Sequence, residues 1–190
     1  MKWQPYLSLD IETTGLDPDT CQIIEIGGVF DFLDRPLKEC PTFHTYVRHK
    51  LYVGEPFALN LNGKILGRLA ETPEGFSYNC ADDVVPVLAS WVKQCGWDMK
   101  AKSLLIAGKN FGGFDFGFLR RLSGFMSTMK FKYRFLDPGM AYFDPTIDEV
   151  PPSLADCLRR AGQQHQITHE AVADAIAVAT SLRCRYGVPL

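Results

Sequence analysis

Asp10 and Glu12, two acids one residue apart, end the short apolar run Tyr6-Leu7-Ser8-Leu9. Side chains alternate faces along a strand, so this spacing aims both carboxylates the same way. Like charges held side by side repel, and withdrawal from water sharpens the repulsion unless a cation sits between them. Hard divalent ions such as Mg²⁺ and Mn²⁺ take carboxylate and water oxygens. The pair is therefore half of a metal site if further acids converge on it, and an ordinary solvated strand end if none do.

Two later stretches offer such acids. In Asn110-Phe111-Gly112-Gly113-Phe114-Asp115-Phe116 the acid lies where an apolar run gives way to a helical pattern. Strand exits of this kind carry functional loops in α/β folds, so Asp115 can face the same cleft as Asp10 if the two strands are neighbours; taken alone, it reads as a helix-start acid. In Thr168-His169-Glu170-Ala171-Val172-Ala173-Asp174, Asp174 is surrounded by Ala and Val, where a carboxylate is costly unless paired. Five residues of helix are about 140° of rotation, so His169 shares a site with Asp174 only from the loose first turn.

The elements that must position these residues follow from periodicity. Residues 6–9, 23–30 and 42–47 read as three strands joined by short connections, an antiparallel meander. Short helical pieces are expected between Gly54 and Thr72. Asp82 and Asp83 precede an i, i+3, i+4, i+7 apolar stripe from Val84 to Cys95, stopped by Gly96, which predicts a helix. Leu104 to Ala107 reads as a buried strand, 116–125 as a helix, and the alternating Lys130 to Leu136 as a strand with one polar face. Pro151-Pro152-Ser153 opens a helix to Ala161, and a last helix runs from a Thr168 cap to about Arg185. The expectation is an α/β fold with a mixed five-stranded sheet, three antiparallel strands then parallel ones, flanked by helices.

The 190 residues suit one domain spanning 1–190, and a 46% hydrophobic, 22% charged composition is that of a globular protein. A net charge of −2 argues against a general nucleic-acid coat, though not against an enzyme with a basic rim around an acidic site. Six dispersed cysteines, none in a C-x-x-C pair, read as reduced thiols of a cytoplasmic protein. The sequence offers neither a secretory leader nor an 18-residue apolar run, so no membrane partner is expected.

The order Asp-x-Glu, Asp, His-x₄-Asp, spread over essentially the whole chain, resembles the DEDDh (DnaQ-like) family of 3′→5′ exonucleases, which have a ribonuclease H-like fold. Gln22-Ile23-Ile24-Glu25-Ile26-Gly27 and Phe43-His44-Thr45-Tyr46-Val47 resemble that family's second and third strands. The subfamily stays open: the five-residue step from Asn110 to Asp115 and Lys132-Tyr133-Arg134-Phe135-Leu136-Asp137 look like oligoribonuclease. Phe114-Asp115 and Ser153-Leu154-Ala155-Asp156-Cys157-Leu158 look like the proofreading and ribonuclease T side.

The resemblance implies two-metal hydrolysis of phosphodiester bonds. Asp10, Glu12, Asp115 and Asp174 would hold two divalent cations, Mg²⁺ or Mn²⁺, and His169 would be the general base. Thr13, Thr14, Gly15 and Leu16 match the positions that hold the terminal sugar and wedge against its base. The segment from Phe57 to Lys64, with Asn60 and Asn62, would close over the terminal nucleotides. Asn110, Phe111 and Phe114 are further candidate substrate contacts, and Lys64, Arg68, Lys109, Arg120, Arg121 and Lys130 a candidate phosphate-facing rim. The implied partner is the 3′ end of a single strand, DNA or RNA, with action alone, as a homodimer or as a polymerase-associated subunit all open. The alternative is a catalytically weak nucleic-acid-binding or proofreading subunit of a larger assembly.

Overall fold

Strand β1 (Tyr6–Thr13) alternates Leu7, Leu9 and Ile11 with Tyr6, Ser8, Asp10 and Glu12, a pattern that gives it one apolar and one largely polar face. A computed structural model describes residues 3–164 and 170–190. In it β1 pairs antiparallel with β2 (Ile23–Asp31), which pairs antiparallel with β3 (Thr42–Arg48). Two short strands complete the sheet as parallel neighbours: β4 (Tyr78–Cys80) beside β3, and β5 (Ile106–Ala107) beside β1. The order β4-β3-β2-β1-β5 makes β1 an interior strand, flanked by β2 and the short edge strand β5.

The apolar face of β1 packs with Ile26, Phe30 and Phe43 under helix α3 (Val84–Gln94), whose buried stripe is Val84, Val85, Leu88 and Val92. Ahead of it, α1 (Pro56–Leu61) and α2 (Gly63–Glu71) are the short helices expected between residues 54 and 72. After β5 come α4 (Asp115–Leu119), α5 (Phe125–Thr128), α6 (Pro138–Tyr142), α7 (Leu154–Arg160) and α8 (Ala171–Tyr186). Helix α8 covers the polar face of β1. It comes close because its buried residues are mostly small, and Ser8 donates to the Ala175 carbonyl at 2.8 Å. No described helix is long and apolar enough to cross a membrane.

The five-stranded mixed sheet between helices is the expected architecture, with two local differences. The alternating segment 130–136 is not a ladder strand: only Phe131 and Leu136 form bridges, to Leu104 and Ala107. It spends five residues where its partner spends three, so no common register exists, and its aromatic residues instead fill a cluster with Phe116. The fifth strand is β4. The expected helix over 116–125 breaks after Leu119, and Gly124 opens α5 at φ 76°, a conformation glycine adopts without penalty.

Candidate active site

Beyond Ser8, β1 outruns β5, and between Glu12 and Thr13 its register with β2 shifts. Such an irregularity turns the chain out of the ladder and re-aims the side chains next to it. Asp10 and Glu12 therefore project from the last regular part of the strand toward the first turn of α8, where Asp174 lies. Single carboxylate oxygens of Asp10, Glu12 and Asp174 all fall within 4.8 Å of one another. Asp115, the first residue of α4, is 4% exposed and is the strongest charged neighbour acting on Asp10.

The strongest charged neighbours acting on Asp10 are the other acids, and burial raises the three carboxyls Asp10, Glu12 and Asp115 alike. Withdrawal from water, then repulsion from Asp115, Asp174 and Glu12, holds the Asp10 carboxyl well above the usual carboxylate range. Glu12 is pushed up to about 7 by burial and by Glu25 and Asp174, with a hydrogen bond from Asn62 pulling the other way. Asp115 is pushed up to about 7 by burial, against the pull of backbone N–H groups of its own residue and Ile11. A site of converging hard oxygens that cannot all ionise unaided fits divalent cations by its donor chemistry.

The surrounding residues divide into supports and exposed surface. Asn62 is buried and donates to the Thr13 carbonyl at 3.0 Å, so it braces the turn after Glu12. The Thr13 hydroxyl donates to the Gly15 carbonyl, and that of Thr14 donates to Val53 and accepts from the Gln22 N–H. Both hydroxyls thus shape the loop. A Cβ on Gly15 would press on the Glu55 side chain at 2.9 Å, and Glu55 also receives the Leu16 N–H. Leu16 itself is 73% exposed. Asn60 is exposed on α1, and Asn110 is exposed at a left-handed φ of 55°, its N–H held by Asp137 at 3.0 Å.

Phe111 is placed differently from the expectation. It is 1% exposed, with its ring against Phe135 at 4.9 Å, so it belongs to the core and its face is closed to a base. Phe114 is half-buried against Phe118. Of the cationic rim, Lys64 and Arg68 line a small cavity of about 160 Å³ with Asn62 and Glu25. Arg121 pairs with Asp19, and Lys109 approaches Asp137. Lys130 lies ahead of Phe131, its carbonyl accepting the Leu104 N–H at 2.8 Å. His169 and Thr168 lie outside the described residues.

A family model described as RNase T exonuclease matches residues 7–182, which takes in all three acidic motifs. The chain belongs to that exonuclease family, the DEDDh group. No curated protein matches the chain. Within this exonuclease, motif reading did not assign roles to Glu25, Gly27 or Asp137, all of which touch elements of the site. Asp137 caps α6, accepting from Gly139 at 2.7 Å while holding Asn110, and so fixes the loop that carries Asp115. Glu25 and Gly27 did carry a signal, an acid and a glycine inside an otherwise apolar strand.

Proposed function

We propose that this exonuclease uses divalent cations, Mg²⁺ or Mn²⁺, to hydrolyse phosphodiester bonds from the 3′ end of single-stranded nucleic acid, releasing nucleoside 5′-monophosphates. The observation that carries the reading is the convergence of Asp10, Glu12 and Asp174 within 4.8 Å, with Asp115 beside them. Ionising such a group of acids together is costly, and bound cations offset that cost. Two ions bound there supply positive charge to the carboxylates and to the phosphate under attack. Asp10, Glu12, Asp115 and Asp174 would hold them, and Asn62 and the Thr13–Thr14 turn keep Glu12 in place.

His169, from the family motif, takes the proton of the attacking water; the unperturbed imidazole pKa of about 6.5 suits that step. The bond between phosphorus and the 3′ oxygen of the penultimate nucleotide breaks, and that oxygen leaves to become the new 3′ hydroxyl. Leu16 would wedge the terminal base, and Lys64, Arg68 and Arg120 would meet the backbone phosphates.

A 5′-labelled single strand, offered as RNA and as DNA with Mg²⁺, with Mn²⁺ and with EDTA, tests the proposal. The expected product is a ladder shortening from the 3′ end, dependent on metal and absent from Asp10→Ala. Immediate release of the labelled 5′ nucleotide, or undiminished activity in Asp10→Ala, would overturn it.

A further inference from the structure

Glu25 stands among Ile23, Ile24 and Ile26 on β2, and its side chain is only 4% exposed. It lies across from Glu12 in the β1–β2 register, so one more carboxylate backs onto a site already crowded with them. A buried carboxylate is costly unless its oxygens are engaged. Both are. Oε1 lies 2.6 Å from Nε2 of His44 on β3, and Oε2 accepts the backbone N–H of Ala171 at 3.3 Å. Ala171 is the first residue of α8, where N–H groups have no partner inside the helix and negative charge is favoured.

Asp174 is three residues further along, on the same side of the helix as Ala171. Wherever the first turn of α8 is held, Asp174 is delivered with it. Gly27 supplies the other half of the seat, since a Cβ there would fall inside the backbone of Ala171 and Val172. Gly27 also pairs with Asp10 across the strands, so α8 rests on the sheet directly beside the acid that Asp174 must meet. Gly27 sets how closely the helix approaches, and Glu25 fixes where along the sheet its first turn stops.

We infer that Glu25, oriented by His44, is a positioning residue of the metal site: it anchors the first turn of α8 so that Asp174 reaches Asp10 and Glu12. The inference rests on the metal-site reading above. Glu25 acts through Asp174 and is not itself a ligand, for its two oxygens are taken up by His44 and by the Ala171 N–H.

Mn²⁺ affinity of the full chain, measured by calorimetry or by electron paramagnetic resonance, tests this without relying on turnover. Glu25→Ala is expected to weaken Mn²⁺ binding about tenfold or more, as loss of an outer-shell partner does, whereas Glu25→Gln, which keeps an oxygen for Ala171, stays within about threefold of wild type. In an Asp174→Asn background Glu25→Ala adds less than about twofold, because the group it positions is already gone. Equal losses from Glu25→Gln and Glu25→Ala, undiminished in that background, would mean that only the charge matters and would overturn the inference, as would wild-type affinity in Glu25→Ala. Should Glu25→Ala fail to fold, the surface-accessible His44→Ala takes its place: a loss of about threefold that disappears beside Asp174→Asn supports the inference, and an unchanged affinity refutes it. A wild-type chain that binds no Mn²⁺ would refute the metal site itself, a separate outcome.

Discussion

Helix α8 meets buried carboxylates at both of its ends, and the two ends solve opposite problems. Near its C-terminus Arg183 reaches Asp31, both wholly buried; the guanidinium donates at 2.6 and 2.9 Å, Tyr6 donates at 2.8 Å, and the Leu33 N–H adds a fourth bond. About 13 Å away along the same helix, Asp174 joins Asp10 and Glu12, and the strongest charged neighbours of Asp10 are further acids. Burial of charge is common to the two. Compensation is not. The Asp31 end gathers a guanidinium and neutral donors around one acid, whereas the Asp174 end gathers acids around acids, and on the proposed reading that difference separates a structural ion pair from a cation site.

The largest effect is expected at the fastened end. Arg183→Met leaves Asp31 buried without its cation and should cost about 3–5 kcal/mol, read as a fall in the urea midpoint with the slope unchanged. Adding Asp31→Asn should recover part of that loss, since the stranded charge is then gone. Activity per folded molecule should be nearly untouched, and a large fall in it would erase the proposed contrast between the ends.

At the other end the signs reverse. Asp174→Asn should lower kcat/KM by more than about a hundredfold, the scale for losing one electrostatic contribution to a transition state. In EDTA the same substitution should leave the chain as stable as wild type or more so, because it relieves repulsion. Marked destabilisation of the metal-free Asp174→Asn protein would show that the acid is structural after all.

Both the first strand and the acids were legible because each is a local pattern: period two in Tyr6 to Glu12, and fixed spacings around Asp115 and Asp174. Asp31 and Arg183 form no such pattern, for they are 152 residues apart and become partners only when α8 lies on β2. Phe111 shows the same limit from another side, since the sequence marks an aromatic residue beside a functional loop but not which way its ring turns. The segment 130–136 alternates like a strand, yet alternation cannot reveal that its neighbour is too short to match it. Helix and strand periods come from the residues themselves, while pairing and face depend on the partner.

Two adjacent glycines sharpen the comparison on a smaller scale. Gly27 faces the acidic end of α8 and Gly28 the opposite side of the sheet, where an added Cβ would lie 3.0 Å from the Leu9 side chain. Gly27→Ala drives a methyl group into helix backbone that cannot move without dragging Asp174, and should cost about 1–3 kcal/mol together with much of the Mn²⁺ affinity. Gly28→Ala meets the end of a flexible leucine and the Ser8 carbonyl, so a lesser loss of stability and unchanged metal binding are expected. Equal metal affinities in the two variants would show that α8 is seated by other contacts.

The smallest effect is the response to pH, and its sign tests the acidic end alone. Burial and mutual repulsion raise the Asp10 carboxyl and bring Glu12 and Asp115 to about 7. An unfolded chain releases those protons near pH 4, so between about 4 and 7 the folded state holds protons that the unfolded state has lost. Stability of the metal-free protein must then fall as pH rises through that window, and be greater at about pH 5.5 than at about pH 8. Asp148, held to about 2 by the Arg160 hydrogen bond, and Asp144, lowered by Thr146, stay ionised over this range and add no opposing trend. Saturating Mg²⁺ should remove most of the slope, since cations displace the same protons and stabilise the folded state more at the alkaline end. Urea midpoints at the two pH values, with EDTA and with Mg²⁺, decide it. A metal-free protein that is more stable at about pH 8 would place the compensating charge within the chain, and the two ends of α8 would then be alike.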